Sequence, residues 1–115
     1  MDVAVIVIQV LLGLGFIMFG AMKFGAKQMV DEFNRYGYPS SFRMFTGTIE
    51  VAAAILMIVG IWNGALASIG AALIIVTMIG AILTHVKVGD PPKAMGMPII
   101  LLLLGVVVLV VQLTA

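Results

Sequence analysis

Apolar residues run continuously through four stretches of this chain, with short polar segments between them. The stretches cover roughly residues 3–22, 44–62, 64–86 and 96–114. A helix needs about 20 apolar residues to cross the hydrocarbon core of a bilayer. Only helices and closed barrels satisfy their backbone hydrogen bonds there, and unbroken runs of this length favour helices. The pattern therefore predicts an all-α membrane protein, with four transmembrane helices in one antiparallel bundle and a single domain over residues 1–115.

The first stretch also resembles the apolar part of a signal peptide. It lacks the basic segment that precedes such a region, and it is long enough to span a bilayer. We therefore expect it to be retained as the first membrane helix.

The segment between the first two stretches has a different pattern. Met29, Phe33 and Tyr36 fall on one face of a helix, and charged residues occupy the rest of its surface. An amphipathic helix of this kind lies in the plane of the membrane interface. The sequence thus predicts a short interfacial helix over residues 28–36, between transmembrane helices one and two.

Small residues indicate the faces on which the membrane helices should pack. In the first stretch Gly13 and Gly20 are seven residues apart and share a face. In the third stretch Gly64, Ser68 and Ala72 form a ladder with a spacing of four. Small side chains let helix backbones approach closely in lipid, so we expect both sets to lie at helix–helix contacts.

Composition supports the membrane assignment and excludes several kinds of chemistry. The 115 residues are 63% hydrophobic and only 10% charged, with a net charge of +1. So small a charge gives no reason to expect nucleic acid as a partner. The absence of cysteine excludes disulfides and thiolate-bound metals, and one histidine does not make a closed zinc site. No metal site is predicted.

The distribution of cations predicts the orientation in the membrane. All six Lys and Arg residues fall on the side of the loops at 23–43 and 87–95. Because cytoplasmic loops carry the excess of Lys and Arg, these loops should be cytoplasmic. Both termini are then extracytoplasmic, in a multi-pass protein of the cell membrane.

One carboxylate, Glu50, stands inside an apolar stretch. A charge at that depth costs roughly 3 kcal/mol on insertion scales, so it must be paired, protonated or facing a cavity. Antiparallel folding places Lys23 and His85 in the same half of the bilayer. We expect Glu50 to contact one of them, directly or through a water. The alternative is a structural anchor for Glu50, hydrogen-bonded to Thr46 or Thr84, with Lys23 extended to the interface.

Tyr36 and Arg43 lie at the same membrane level and are also suited to anchoring at the interface. No residue is assigned a catalytic role, and the sequence leaves open whether the protein is an enzyme. The predicted ligand-binding set is Lys23, Glu50, His85, Thr46, Thr84, Tyr36 and Arg43.

Several motifs in their order along the chain resemble the DoxX family of small four-helix membrane proteins. They are Phe16-x-x-x-Gly20-x-x-Lys23, Gly37-Tyr38-Pro39, Gly47-x-x-Glu50, and small residues leading to His85 with Gly89-Asp90 after it. The resemblance implies the four-helix fold. It also implies links to redox chemistry, since some relatives are subunits of thiosulfate:quinone oxidoreductases, whereas distant animal relatives are assembly chaperones.

The sequence is compatible with three functions. The first is a quinone- or lipid-binding accessory subunit of a membrane oxidoreductase, with the polar head at Lys23, Glu50 and His85. The second is an assembly factor for other membrane proteins, without ligand chemistry. The third is a small proton-coupled transporter, which ranks last because the first helix carries no glutamate before Lys23. We expect the protein to contact membrane lipid, and a quinone is the one cofactor that the sequence suggests. A membrane or membrane-associated protein partner and a homo-oligomer are compatible with each of the three functions.

Overall fold

Residues 2–115, the part of the chain described by the computed structural model, are helical apart from short connections and contain no strand. The four longest helices are long and apolar enough to cross a membrane. The predicted all-α architecture, an antiparallel four-helix bundle with an interfacial helix after the first span, is confirmed. The helices are α1 (Val3–Met22), α2 (Lys27–Tyr36), α3 (Ser40–Val59), α4 (Gly64–Lys87) and α5 (Gly96–Thr114), with a 3₁₀ turn at Pro92–Met95 before α5.

The second membrane helix begins before the apolar stretch at about 44–62 and ends before that stretch does. The helix starts at Ser40, because the carbonyl of Pro39 already accepts the amides of Phe42 and Arg43. It ends at Val59, where Gly60 meets the start of α4: a Cβ on Gly60 would lie 2.5 Å from the Ala67 backbone. The apolar run beyond Val59 is therefore a turn and not helix.

Glycines bring α1 and α3 together near the loop side of the bundle. A Cβ on Gly20 would lie 2.8 Å from the Gly47 carbonyl oxygen, and one on Gly47 would lie 2.7 Å from the Gly20 carbonyl oxygen. Gly13 lies against the side chain of Ile58 further along the same contact. The packing face predicted for the first helix is confirmed, and this close contact places the end of α1 beside the middle of α3.

The face of α4 that packs agrees only in part with the predicted one. Gly64 lies against Gln112 of α5, where a Cβ would be 2.7 Å from its Oε1, but Ala72 at the other end of the ladder is exposed. The buried residues of α4 are instead Ala67, Gly70, Ala71, Ile74 and Met78. Both faces are rich in small residues, and the difference between them is a rotation of the helix about its own axis.

The core lies between α1, α3 and α4, with α5 packed mainly on α4. Its largest fully buried apolar side chains are Phe16, Leu12, Met57, Ile74 and Val108. Most other large apolar residues of the four long helices are exposed, as expected where lipid is the solvent. α2 packs on the loop-side end of α3 and leaves the space beneath it unfilled.

Candidate functional site

Lys23 and Glu50 form a buried ion pair at the contact between α1 and α3. Lys23 Nζ lies 2.6 Å from Glu50 Oε1, and the side chains are only 12% and 3% exposed. The predicted contact of Glu50 with Lys23 is therefore confirmed. Apart from its contact with Lys23, Oε1 has no hydrogen-bond donor among residues 2–115. An ammonium with three N–H groups and a carboxylate with two oxygens keep the capacity for further hydrogen bonds.

The pair is held in place by the end of α1. Lys23 is the residue on which α1 ends, and the buried guanidinium of Arg43 donates to its backbone carbonyl oxygen. A cation at the carbonyl end of a helix is favourable because those carbonyls lack partners within the helix. The side chain of Arg43 does not line the neighbouring cavity. Arg43 thus holds the Lys23 backbone in place and is the one residue of the predicted ligand-binding set that does not line this cavity.

A cavity of about 660 Å³ lies beside the ion pair, between α2, α3 and α4. This volume is in the usual range for small-molecule sites. The exposed apolar side chains of Phe45, Val76 and Leu83 form part of its wall, so the cavity opens towards the lipid-facing surface. Its ionisable residues other than tyrosine are Lys23, Glu50 and His85. The rest of the lining is mostly aromatic, aliphatic or threonine.

α2 covers the loop-side end of this cavity with its apolar face. Met29, Phe33 and Tyr36, the residues predicted to share that face, all line the cavity. The helix stops at Gly37, which adopts φ 82°, a left-handed conformation that glycine accepts without strain. The amide of Tyr38 then bonds back to the carbonyl of Phe33 at 3.0 Å. This turn directs the Tyr38 ring against Phe33 and towards α4.

His85 lines the same cavity but pairs with Asp90 and not with Glu50. Its Nδ1 lies 2.6 Å from Asp90 Oδ2. The Arg35 guanidinium donates to both oxygens of Asp90, at 2.8 and 3.1 Å, and also to Glu32. Asp90 therefore joins α2 to the end of α4. The site predicted from the sequence did not include Asp90, Arg35 or Glu32, although Gly89-Asp90, beginning four residues after His85, was a usable signal.

The charges in this loop-side network perturb one another. Hydrogen bonds from Arg35 and then from His85 lower the pKa of Asp90 to about 2. The hydrogen bond from Arg35 lowers the pKa of Glu32. The pKa of Arg35 is raised in turn by its hydrogen bonds to Asp90, the larger effect, and to Glu32. Burial, with the hydrogen bond to Glu32, raises the pKa of Tyr36 to about 12. Because the Asp90 carboxylate is ionised near neutral pH, the proton between it and His85 lies on Nδ1.

The remaining predicted residues line the cavity with different hydrogen bonds. Thr46 donates to the Phe42 carbonyl within α3 at 2.9 Å. Thr84 is 2.9 Å from the hydroxyl of Tyr38. Tyr36 also lines the cavity, but its hydroxyl is already used because it donates to Glu32 at 2.9 Å. The ring is therefore the part of Tyr36 that is left to contact a bound molecule. The structure thus brings Lys23, Glu50, His85, Thr46, Thr84 and Tyr36 to one cavity.

A second polar contact lies far from this cavity, towards the two termini. Gln9 is fully buried, and its Nε2 donates to the Met57 carbonyl at 3.1 Å. Its Oε1 accepts from Gln112 at 3.5 Å. These bonds join α1, α3 and α5. A glutamine within the first apolar stretch was the signal for this contact.

No group of three or more metal-ligating side chains is found within residues 2–115.

Comparison with known proteins supports the relationship that the motifs indicate. The uncharacterized protein YdgD of Bacillus subtilis (strain 168) is 46% identical over 57 residues, which is 49% of this chain and 49% of that protein. The aligned part thus spans about half the length of that relative. No solved structure matches the chain. The model of the DoxX-like family matches residues 7–108, and the chain therefore belongs to the DoxX-like family.

Proposed function

We propose that this small integral membrane protein binds a neutral, membrane-dissolved molecule in the cavity beside Lys23 and Glu50. The observation that carries the proposal is the buried ion pair at the wall of an aromatic-lined cavity that opens towards lipid. A buried pair contributes little net stability compared with apolar packing, so its presence next to a cavity favours a role in binding.

The charges of the lining indicate the class of ligand. The Lys23 ammonium is neutralised by Glu50, and His85 is hydrogen-bonded to an ionised Asp90. An anionic or cationic head group would therefore find no uncompensated charge of opposite sign among the lining residues. A quinone fits this environment: its ring packs on the aromatic side chains, and one carbonyl oxygen accepts a hydrogen bond from Lys23.

The same residues suit proton exchange with such a head group. Reduction of a quinone requires two electrons and two protons. When the two electrons arrive, the Lys23 ammonium gives one proton to the carbonyl oxygen; the Glu50 carboxylate takes up protons from water and passes them on, which restores Lys23 and supplies the second proton. The electrons would come from a partner redox enzyme, so we propose an accessory subunit of a membrane oxidoreductase system.

Native mass spectrometry of the purified protein, followed by titration with a short-chain benzoquinone, tests this proposal. Gly80 lines the cavity, and a Cβ placed on it meets no atom within 4 Å. The variant Gly80→Leu should therefore fill the cavity without disturbing the fold. Gly15→Leu is the matched control, because Gly15 also has open space at Cβ but lies outside the cavity lining.

We expect wild type and Gly15→Leu to bind the quinone and Gly80→Leu to lose binding, with no loss of thermal stability in either variant. Equal binding by all three proteins would show that the ligand sits elsewhere. A purified protein that carries no small molecule and does not respond to the quinone would contradict the proposal and leave the assembly role that the family resemblance also implies.

A further inference from the structure

Thr84 differs from the other threonines of the chain in the use of its hydroxyl group. Four of the five threonines donate to the carbonyl oxygen four residues earlier in their own helix; these are Thr46, Thr48, Thr77 and Thr114. The hydroxyl of Thr84 lies instead 2.9 Å from that of Tyr38, 46 residues away. This contact joins the turn after α2 to the last part of α4.

A pair of hydroxyl groups has one proton more than the contact between them uses. If Tyr38 donates to Thr84, the Thr84 proton has no acceptor among the described residues; if Thr84 donates, the Tyr38 proton has none. Either arrangement leaves one O–H donor free. A hydroxyl proton without a partner in an apolar setting is unfavourable, so this donor is available to an acceptor from outside the protein.

The free donor lies where a ligand can reach it. Tyr38 and Thr84 are half-buried, and both line the cavity. Gly80, one turn before Thr84 on α4, leaves open space beside them. The Lys87 ammonium lies 4.6 Å from the centre of the Tyr38 ring, a cation–π contact that keeps the ring in this position.

We propose that Tyr38 and Thr84 form a second polar anchor in the cavity, donating one hydrogen bond to a carbonyl oxygen of the bound molecule. This inference rests on the proposed function and adds to it the requirement for a carbonyl acceptor at the α2–α4 side. Lys23 and Glu50 hold the molecule at the α1–α3 side. A quinone has a carbonyl group suited to this contact, and so does the ester linkage of a membrane lipid.

Isosteric substitutions separate this hydroxyl from the shape of the cavity. The double variant Tyr38→Phe, Thr84→Val removes both hydroxyl groups and therefore the free donor, whereas Thr84→Val alone leaves the Tyr38 O–H in place. Thr77→Val is the matched control, because Thr77 also lines the cavity but donates to Leu73 within its own helix. Thr84→Ser keeps the hydroxyl and should restore binding. The probes are a short-chain benzoquinone and, separately, an ester-linked diacyl lipid with its ether-linked analogue, which lacks the carbonyl groups.

We expect the double variant Tyr38→Phe, Thr84→Val to weaken binding of the carbonyl-bearing probe about three- to ten-fold, the range for loss of one neutral hydrogen bond. Thr77→Val and Thr84→Ser should bind within about two-fold of wild type, on the same scale. An effect on the quinone alone identifies a quinone site, and an effect on the ester lipid but not on its ether analogue identifies a lipid site.

Equal effects of the double variant and of Thr77→Val, or no effect of either, would overturn the second anchor while leaving cavity binding intact. Failure of the wild-type protein to bind either probe would overturn the proposed function itself.

Discussion

Removing one partner of the Lys23–Glu50 pair should destabilise the protein far more than removing both. The two charged atoms are 2.6 Å apart, and Glu50 is 3% exposed. In Glu50→Leu the Lys23 ammonium stays partly buried without a counter-charge, a change that costs about 3–5 kcal/mol in buried pairs. Lys23 is 12% exposed at a helix end, and its long side chain can turn towards the interface. We therefore expect a loss of about 3 kcal/mol, the lower end of that range.

The partner substitutions complete a double-mutant cycle. Glu50→Gln should cost less than Glu50→Leu, because the amide retains hydrogen bonds that leucine lacks. Lys23→Met combined with Glu50→Leu removes both charges and should lie within about 1 kcal/mol of wild type, since apolar replacements of a buried pair are often neutral or stabilising. The expected coupling energy is then several kcal/mol, well above the range of about 0.5 kcal/mol for additive sites.

Reversible unfolding in detergent micelles, followed by circular dichroism, measures these differences. The exposed Lys27–Asp31 pair within α2 serves as the control, because its side chains are 89% and 59% exposed and its loss should cost no more than about 0.5 kcal/mol. Additive losses from Lys23→Met and Glu50→Leu would refute the buried pair. Equal losses from Glu50→Gln and Glu50→Leu would refute the polar environment proposed for the carboxylate.

Three further predictions concern packing, the loop-side network and orientation. Gly20→Ala should destabilise the protein by about 1–3 kcal/mol in thermal unfolding, because its Cβ would overlap α3, whereas Gly15→Ala, with open space at Cβ, should not. The pKa of Asp90 is lowered on folding from its ordinary value of 3.8 to about 2. Its stabilising contribution is therefore complete above about pH 4 and lost as pH falls towards 2. The protection of the α2 amides against hydrogen exchange, taken relative to the intrinsic exchange rate at each pH, should fall over that interval. Asp90→Asn, but not Asp31→Asn, should lower this protection at neutral pH. A reporter enzyme that is active only outside the cytoplasm should be active when fused after Ala115, and activity of a cytoplasm-only reporter there would reverse the predicted orientation.

The helices and their order could be predicted from the apolar pattern of the chain. Only helices and closed barrels satisfy their backbone in lipid, unbroken apolar stretches of this length favour helices, and the short connections make neighbours antiparallel. The amphipathic spacing of Met29, Phe33 and Tyr36 was sufficient for α2, because its two faces differ in polarity. The same topology put Lys23 and Glu50 at one depth, and the cost of an unpaired charge in lipid made their contact a sound prediction.

The rotation of each membrane helix about its own axis follows from packing and not from the apolar pattern. In a bilayer the face that packs and the face that meets lipid are both apolar, so the sequence pattern does not distinguish them. This is why the buried face of α4 is centred on Gly70 and Ile74, whereas Ala72 of the predicted ladder is exposed. The contacts of Asp90 with Arg35 and of Thr84 with Tyr38 join residues that are 55 and 46 positions apart, and they depend on that rotation and on the path of the chain after α2.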